Sequence, residues 1–424
     1  MTSAAEAQQL MRQGRFAEAE RAYAAVLEQS PDHVEALNVL GLGALRDGQP
    51  QRALELLSRA VAANPGDAMS QHHLARVHEA FGNVVAATVA QRRAVELRPE
   101  FFVARLHLGA LLERSGEHRA ALVQYARALR DAQSKGRWIN PSTTPEPLRP
   151  LVEHAVITFR RDRRALFFDL LEPLAQRYGR EALTRVEKCL RIYLGEEPAA
   201  YPDSRQQPTF LYFPDLPTTP YFDRALFPWI ADIEALTATI RDELLALLSS
   251  DDGRERVFTS DELEQAHLRG LRGKPTWDGY YFYRHGERRE DNCAACPRTA
   301  AALDALPLCR VREHAPETFF SVFTPGTHLL PHRGVTNTRI VAHLPLMVPE
   351  DCALSVGGED HAWQEGRIVV FDDTFEHEAW NRSDRSRVVL IFDLWNPYLT
   401  EAERAAVTDL VPAIGDLRKS IDAA

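Results

Sequence analysis

Cysteine is scarce in this sequence: Cys189, Cys293, Cys296, Cys309 and Cys352 are the only thiols in 424 residues. A small, odd number is a poor basis for an extracellular disulfide framework. The thiols are therefore expected to be reduced and structural. Cys293 and Cys296 form a C-x-x-C, but no second pair and no nearby histidine pair completes a zinc site, so a redox or metal role is the lesser alternative. Long apolar runs are missing too. Nothing approaches the ~20 consecutive apolar residues needed to span a bilayer, and the opening MTSAAEAQQL has neither the basic nor the apolar region of a secretory signal. No membrane span and a cytoplasmic location are expected. Positive charge is also short, with 50 Lys and Arg against 60 Asp and Glu, a net of −10. That balance removes the general attraction to phosphate backbones and makes nucleic acid a poor default partner.

What is present is ordinary globular material, 45% hydrophobic and 26% charged, in a chain too long for a single core. Two or three compact units are expected. The first third carries an internal repeat. Gly14, Gly48, Gly82 and Gly116 fall 34 residues apart, as do Ala19, Ala53, Ala87 and Ala121, and Pro31, Pro65 and Pro99; Leu40, Leu74 and Leu108 form a fourth column. Each column has a physical meaning: glycine ends the first helix in a tight turn, alanine lets the second helix pack closely, and proline stops that helix. A single helix hairpin cannot bury its own apolar face, so successive hairpins stack into a superhelix with a concave surface. The spacing resembles tetratricopeptide repeats, whose concave surfaces usually bind peptides or proteins; the alternative is an array that only braces its neighbour or mediates self-association. The array is assigned to residues 1–135.

After the Pro/Ser/Thr-rich SKGRWINPSTTPEP, two or three amphipathic helices are expected across a linker region, 136–206, in LRPLVEHAVITFRRDRRALFFDLLEPLAQRYG and EALTRVEKCLRIYLG. The arginine run at Arg160, Arg161, Arg163 and Arg164 reads as a solvated helix face. From 207 to 415 the pattern changes. One helix is expected in DIEALTATIRDELLALLSS, and short runs such as DGYYFYRHG, TFFSVFTPG, TRIVAHLPLMV, CALSVGG, GRIVVFDD and SRVVLIFDLW read as strands. Many short strands with tight turns suggest a sandwich, jelly roll or barrel, and a double-stranded β-helix would fit. Period-2 alternation puts Arg339, Val341 and His343 on one face of their strand, and aligns Arg387, Val389, Ile391 and Asp393 on another. Arg and His on an inner face are costly unless they meet an anion, a metal or an acid. The interior is expected to hold something charged.

His332, just before one strand, and His377, just after another, are the candidate metal ligands, because two imidazoles from different strands can meet at one ion. Singly, either would more often be a surface or hydrogen-bonded core histidine.

The segments SVFTPGTHLLPHRGVTNTRIVAHLPL and WQEGRIVVFDDTFEHEAWNRSDRSRVVLIFDLWNP closely resemble the signature region of the aspartyl/asparaginyl β-hydroxylases, and the likeness extends over roughly Thr209 to Pro397. The resemblance implies a double-stranded β-helix and an Fe(II)- and 2-oxoglutarate-dependent dioxygenase that uses O2. It implies that His332 and His377 bind Fe(II), and that Arg387, helped by Ser321, pairs with the far carboxylate of 2-oxoglutarate. It also places His343 near the other end of the cosubstrate and matches Arg339 to the Arg of the family's TN-x-R stretch. Imidazole ligands with open positions and a guanidinium fork suit a chelating oxo-diacid and O2.

Two departures follow from the same comparison. A facial triad has a carboxylate two residues after the first His, where this chain has Gly334. The resembled family tolerates two His and solvent, and Asp372 or Asp373 could orient a bound water or cap the turn before His377. Val341 stands where animal relatives have Arg. The expected substrate is a peptide or protein side chain, Asp or Asn by analogy, bound with help from the concave repeat surface. The rivals are a small-molecule or lipid hydroxylase and a non-catalytic repeat scaffold.

Overall fold

The structure, a computed structural model, describes residues 4–250, 255–256 and 277–424. By internal contacts it divides into two compact units, one of residues 1–165 joined by 416–424, the other of 166–415.

The first unit is built from four helix hairpins: α1 Ala4–Arg12, α2 Phe16–Gln29, α3 Val34–Arg46, α4 Pro50–Ala63, α5 Ala68–Ala80, α6 Val84–Leu97, α7 Phe102–Arg114 and α8 His118–Ser134. Gly14, Gly48, Gly82 and Gly116 sit in the turns inside the hairpins with φ of 73°, 72°, 68° and 79°, a left-handed conformation that favours glycine. Ala19, Ala53, Ala87 and Ala121 on the second helices are 0–1% exposed. A second small column supports them: a Cβ on Gly109 of α7 would stand 2.5 Å from the Tyr125 ring of α8, so the hairpin closes only because that atom is missing. Each of Pro31, Pro65 and Pro99 lies two residues beyond the end of a second helix. The returning segment 416–424 is held by α8, where Arg127 donates to the Ile421 and Asp422 carbonyls and Arg130 pairs with Asp422.

In the second unit, helices Glu172–Tyr178 and Thr184–Leu194 follow the end of helix Arg149–Phe168. The expected single helix after Gln207 is two, Ile230–Ala235 and Thr237–Ser250, broken at Leu236, where the Thr237 hydroxyl donates to the Glu234 carbonyl. The strands are β1 Glu255–Arg256, β2 Trp277–Arg284, β3 Glu287–Arg288, β4 Thr318–Phe323, β5 His328–His332, β6 Arg339–Met347, β7 Cys352–Val356, β8 Glu359–Ala362, β9 Val369–Phe371, β10 His377–Asn381 and β11 Arg387–Trp395. They form two antiparallel sheets, one in the order β1-β2-β4-β11-β6-β9 with β3 on β2, the other in the order β5-β10-β7-β8.

The alternation in β6 divides two cores. Ile340, Ala342, Leu344 and Leu346 pack outward against Ile240 and Leu244 of helix Thr237–Ser250 and against Ala300 and Leu303. On the other face, Val341 joins Phe319, Phe323, Val389 and Ile391 against Leu329, Leu354, Val356 and Ala379 of the smaller sheet. The inner faces of the two sheets thus pack on each other, as in sandwiches. All five cysteines are free and buried, and burial pushes the thiols of Cys189 and Cys296 up to about 12, which makes them inert. Among the described residues no helix is long and apolar enough to cross a membrane.

Candidate active site

A cavity of about 400 Å³ opens between the inner faces of the two sheets. Its wall includes every site residue expected from the sequence: Ser321, His332, Arg339, His343, His377 and Arg387.

The two histidines come together across a strand pair. His332 ends β5, His377 begins β10, and the two are register partners. Directly opposed residues on one face are each other's nearest side-chain neighbours, and the ring centroids are 4.1 Å apart. Each ring is tied by its Nδ1 to the carbonyl two residues earlier, His332 to Leu330 at 2.8 Å and His377 to Phe375 at 3.0 Å. A carbonyl can only accept, so Nδ1 carries the proton and Nε2 is the lone-pair nitrogen of the neutral ring.

Among the described residues no group of three His, Cys, Asp or Glu side chains is gathered as a metal site. The reason is visible at Gly334. A Cβ there would lie 2.3 Å from the Asp373 carboxyl carbon and 2.4 Å from both its oxygens, so Asp373 fills the space a side chain at 334 would need. The two neighbouring aspartates differ in role. Asp372 caps the turn, accepting from the Thr374 amide and hydroxyl and from Gln206; burial lifts it to about 6. Asp373 instead faces the cavity, with Oδ2 on Arg339 and Oδ1 buried without a partner.

Arg387 lies at the other end. It is 1% exposed, clasped between the Phe323 and Trp363 rings with its guanidinium carbon 3.7 Å and 4.6 Å from their centroids. Nη1 donates to the Ser321 hydroxyl at 3.2 Å, and that hydroxyl accepts from Trp277 Nε1 at 2.9 Å. Among the described residues no carboxylate pairs with Arg387, and its Nε has no partner. Burial drives its pKa down to about 9. A buried cation with no counter-charge is costly, so this end of the cavity is built for an anion. His343 stands beside it, its Nδ1 buried without a partner, its pKa held well below the usual value by burial and then by the Arg387 charge.

Arg339, the Arg of the TN-x-R stretch, lines the same cavity and is engaged by two carboxylates. Its Nη1 donates to Asp393 at 2.8 Å and its Nη2 to Asp373 at 2.6 Å, and Asp393 is six residues along β11 from Arg387, about 20 Å of strand rise. Glu317, Trp277 and Phe323 are among the contributors to the wall that were not singled out from the sequence. Extending the alternation of Ser321 back along its strand, through Phe319, reaches Glu317.

A family profile described as Aspartyl/Asparaginyl beta-hydroxylase matches residues 234–397, and a Tetratricopeptide repeat profile matches 4–68 and 38–99. Aspartate beta-hydroxylase domain-containing protein 2 is 35% identical over 243 residues in both Homo sapiens and Mus musculus, a span of 56% of this chain and of 63% and 68% of those proteins. Aspartyl/asparaginyl beta-hydroxylase of Homo sapiens is 34% identical over 182 residues, 42% of this chain and 22% of that one. Ornithine lipid ester-linked acyl 2-hydroxylase of Rhizobium tropici is 35% identical over 195 residues, 45% of this chain and 66% of that one. The site therefore lies in a hydroxylase-type domain that follows a tetratricopeptide array in the sequence. The chain belongs to the aspartyl/asparaginyl β-hydroxylase family.

Proposed function

We propose that this chain is an Fe(II)- and 2-oxoglutarate-dependent dioxygenase whose two facing sheets are a double-stranded β-helix. The observation that carries the reading is the cross-strand pair His332 and His377, both rings fixed through Nδ1, in one cavity with the buried guanidinium of Arg387, with which no carboxylate among the described residues pairs. The donor set fits: two imidazole Nε2 atoms suit Fe(II) and leave positions for a bidentate oxo-acid and O2. When bound, iron and 2-oxoglutarate would supply the oxidising power that converts a substrate C–H and O2 into C–OH, with 2-oxoglutarate leaving as succinate and CO2.

The protein's part is placement. Arg387 and the Ser321 hydroxyl grip the far carboxylate, replacing a missing counter-charge. His343, kept neutral, offers a hydrogen bond without adding a second cation. Phe323 and Trp363 keep water from the guanidinium, which strengthens its hold on an anion. Asp373 stands over Gly334 and closes the side of the site where a third protein ligand would enter.

For the substrate, the repeat array favours a peptide or protein whose side chain, Asp or Asn by the family's description, is delivered with help from the concave surface. A small-molecule or lipid hydroxylase is the second reading, favoured by the likeness to an acyl 2-hydroxylase. A scaffold without turnover would leave the buried charge of Arg387 without a purpose.

The test is succinate formation from 2-oxoglutarate by the full chain loaded anaerobically with Fe(II) and then given O2, compared with His332→Ala, His377→Ala and Arg387→Ala. Loss of turnover in both His variants and weakened 2-oxoglutarate saturation in the Arg variant are expected. Succinate production unaffected by all three would end the proposal.

A further inference from the structure

The two ends of the cavity carry opposite needs. At the Arg387 end a cation lacks an anion. At the other end three carboxylates, Asp373, Asp393 and Glu317, face two guanidinium groups, Arg339 and Arg284. Arg339 is already committed through both terminal nitrogens. Asp393, 1% exposed, accepts from Arg339 and from the Glu317 amide, both on Oδ2. Glu317 accepts on Oε1 from the His285 amide and faces His285 Nδ1 at 3.0 Å with the same oxygen. Asp373, 6% exposed, has Oδ1 buried without a partner. Among the described residues, Asp393 Oδ1 and Glu317 Oε2 likewise accept no hydrogen bond. Each of three neighbouring carboxylates thus keeps one oxygen unused, two of them on side chains more than nine-tenths buried.

Buried acceptors without donors are expensive, and a bound group that donates to them recovers that cost. An incoming carboxylate would instead meet the Asp373 and Asp393 charges and find both terminal nitrogens of Arg339 already engaged by them. We propose that the substrate presents an organic cation, an ammonium or guanidinium, to Glu317 and Asp393, with the carbon to be hydroxylated lying between that group and the His332–His377 pair. This rests on the proposed dioxygenase chemistry and replaces the Asp or Asn expectation for the substrate with a basic group. Burial and the Asp393 charge lift Glu317 to about 7, so a cation also draws Glu317 into its ionised form.

The test uses the full chain loaded with Mn(II) and 2-oxoglutarate. It is titrated with peptides identical but for a central Lys, Arg, Asn or Asp, and with n-butylamine and butyrate, followed by calorimetry. The Lys or Arg peptide, or n-butylamine where the source is a small amine, should bind at least about tenfold more tightly than the matched acid, and Glu317→Gln should remove most of that preference. Asp393→Asn repeats the test at a second oxygen set. Equal or tighter binding of the acid, a preference that survives Glu317→Gln, or no binding by any of the cations would overturn the proposal. Saturation by 2-oxoglutarate alone is measured on the same samples: its absence sinks the dioxygenase reading, whereas its presence without a charge preference sinks only this one.

Discussion

Asp373 and Gly334 are a complementary pair: the carboxylate of one stands within 2.4 Å of the point where the other would carry a Cβ. Residue 334 cannot gain a side chain while residue 373 keeps its own.

Gly334→Ala is therefore expected to cost about 1–3 kcal/mol, the usual penalty for overpacking a rigid site. Adding Asp373→Gly should shrink that penalty, because the clash is gone. Denaturant unfolding of the two single variants and the double variant measures the coupling, and simple additivity would contradict the geometry.

Arg387 should show the opposite signs for stability and for binding. Arg387→Met removes a buried charge without a counter-ion, so the ligand-free chain is expected to gain about 1–4 kcal/mol. Under the proposed function, in which Arg387 holds the far carboxylate, the same change should weaken 2-oxoglutarate binding by about 2–5 kcal/mol. Thermal unfolding with and without 2-oxoglutarate reads both effects. Wild type should rise in Tm on adding the diacid, and the variant should not.

Glu317 gives a pH dependence whose sign can be worked out. Its carboxyl is raised to about 7, chiefly by burial. A group with a raised folded-state pKa contributes fully below its unfolded value, near 4.5, and loses that contribution as pH rises through 7. The folded chain should lose up to about 3 kcal/mol from this group between those limits. Glu317→Gln should flatten that part of the stability curve, and an unchanged slope between pH 4.5 and 7 would count against it.

In the repeats, two glycines separate backbone strain from packing. Gly82 has φ 68° and nothing within 4 Å of its would-be Cβ, whereas that of Gly109 would meet the Tyr125 ring at 2.5 Å. Gly82→Ala is expected to cost about 1 kcal/mol from the left-handed backbone alone. Gly109→Ala should cost about 1–3 kcal/mol, and Tyr125→Leu should relieve it. Unfolding midpoints of these variants decide between the two mechanisms.

The repeats were legible in the sequence because each of their columns serves one local purpose at a fixed spacing, and the inward alternation of Arg339, Val341 and His343 was legible because a strand has a period of two. His332 and His377 could be singled out, but their contact depends on the pairing of β5 with β10, across 45 positions of chain. Trp363 reaches Arg387 from a segment beyond β8, and nothing in its neighbourhood signals that destination. The contrast between Asp372 and Asp373 was also hidden. Adjacent residues point apart, and only the fold shows which one meets Thr374 and which meets Gly334. Glu317 was accessible in principle, two positions before Phe319 on the same face, but it precedes the apolar run that marks the strand.

If the site holds Fe(II) as proposed, the tethers from His332 and His377 to carbonyls two residues upstream bear on how the ion enters. Ring flips and proton hops between nitrogens are opposed by the main-chain tethers, so the ring orientation would not have to wait for the ion. Uptake would then be paced by diffusion through the opening of the cavity and by shedding of hydration water, and an emptied protein should keep the same side-chain arrangement as a filled one.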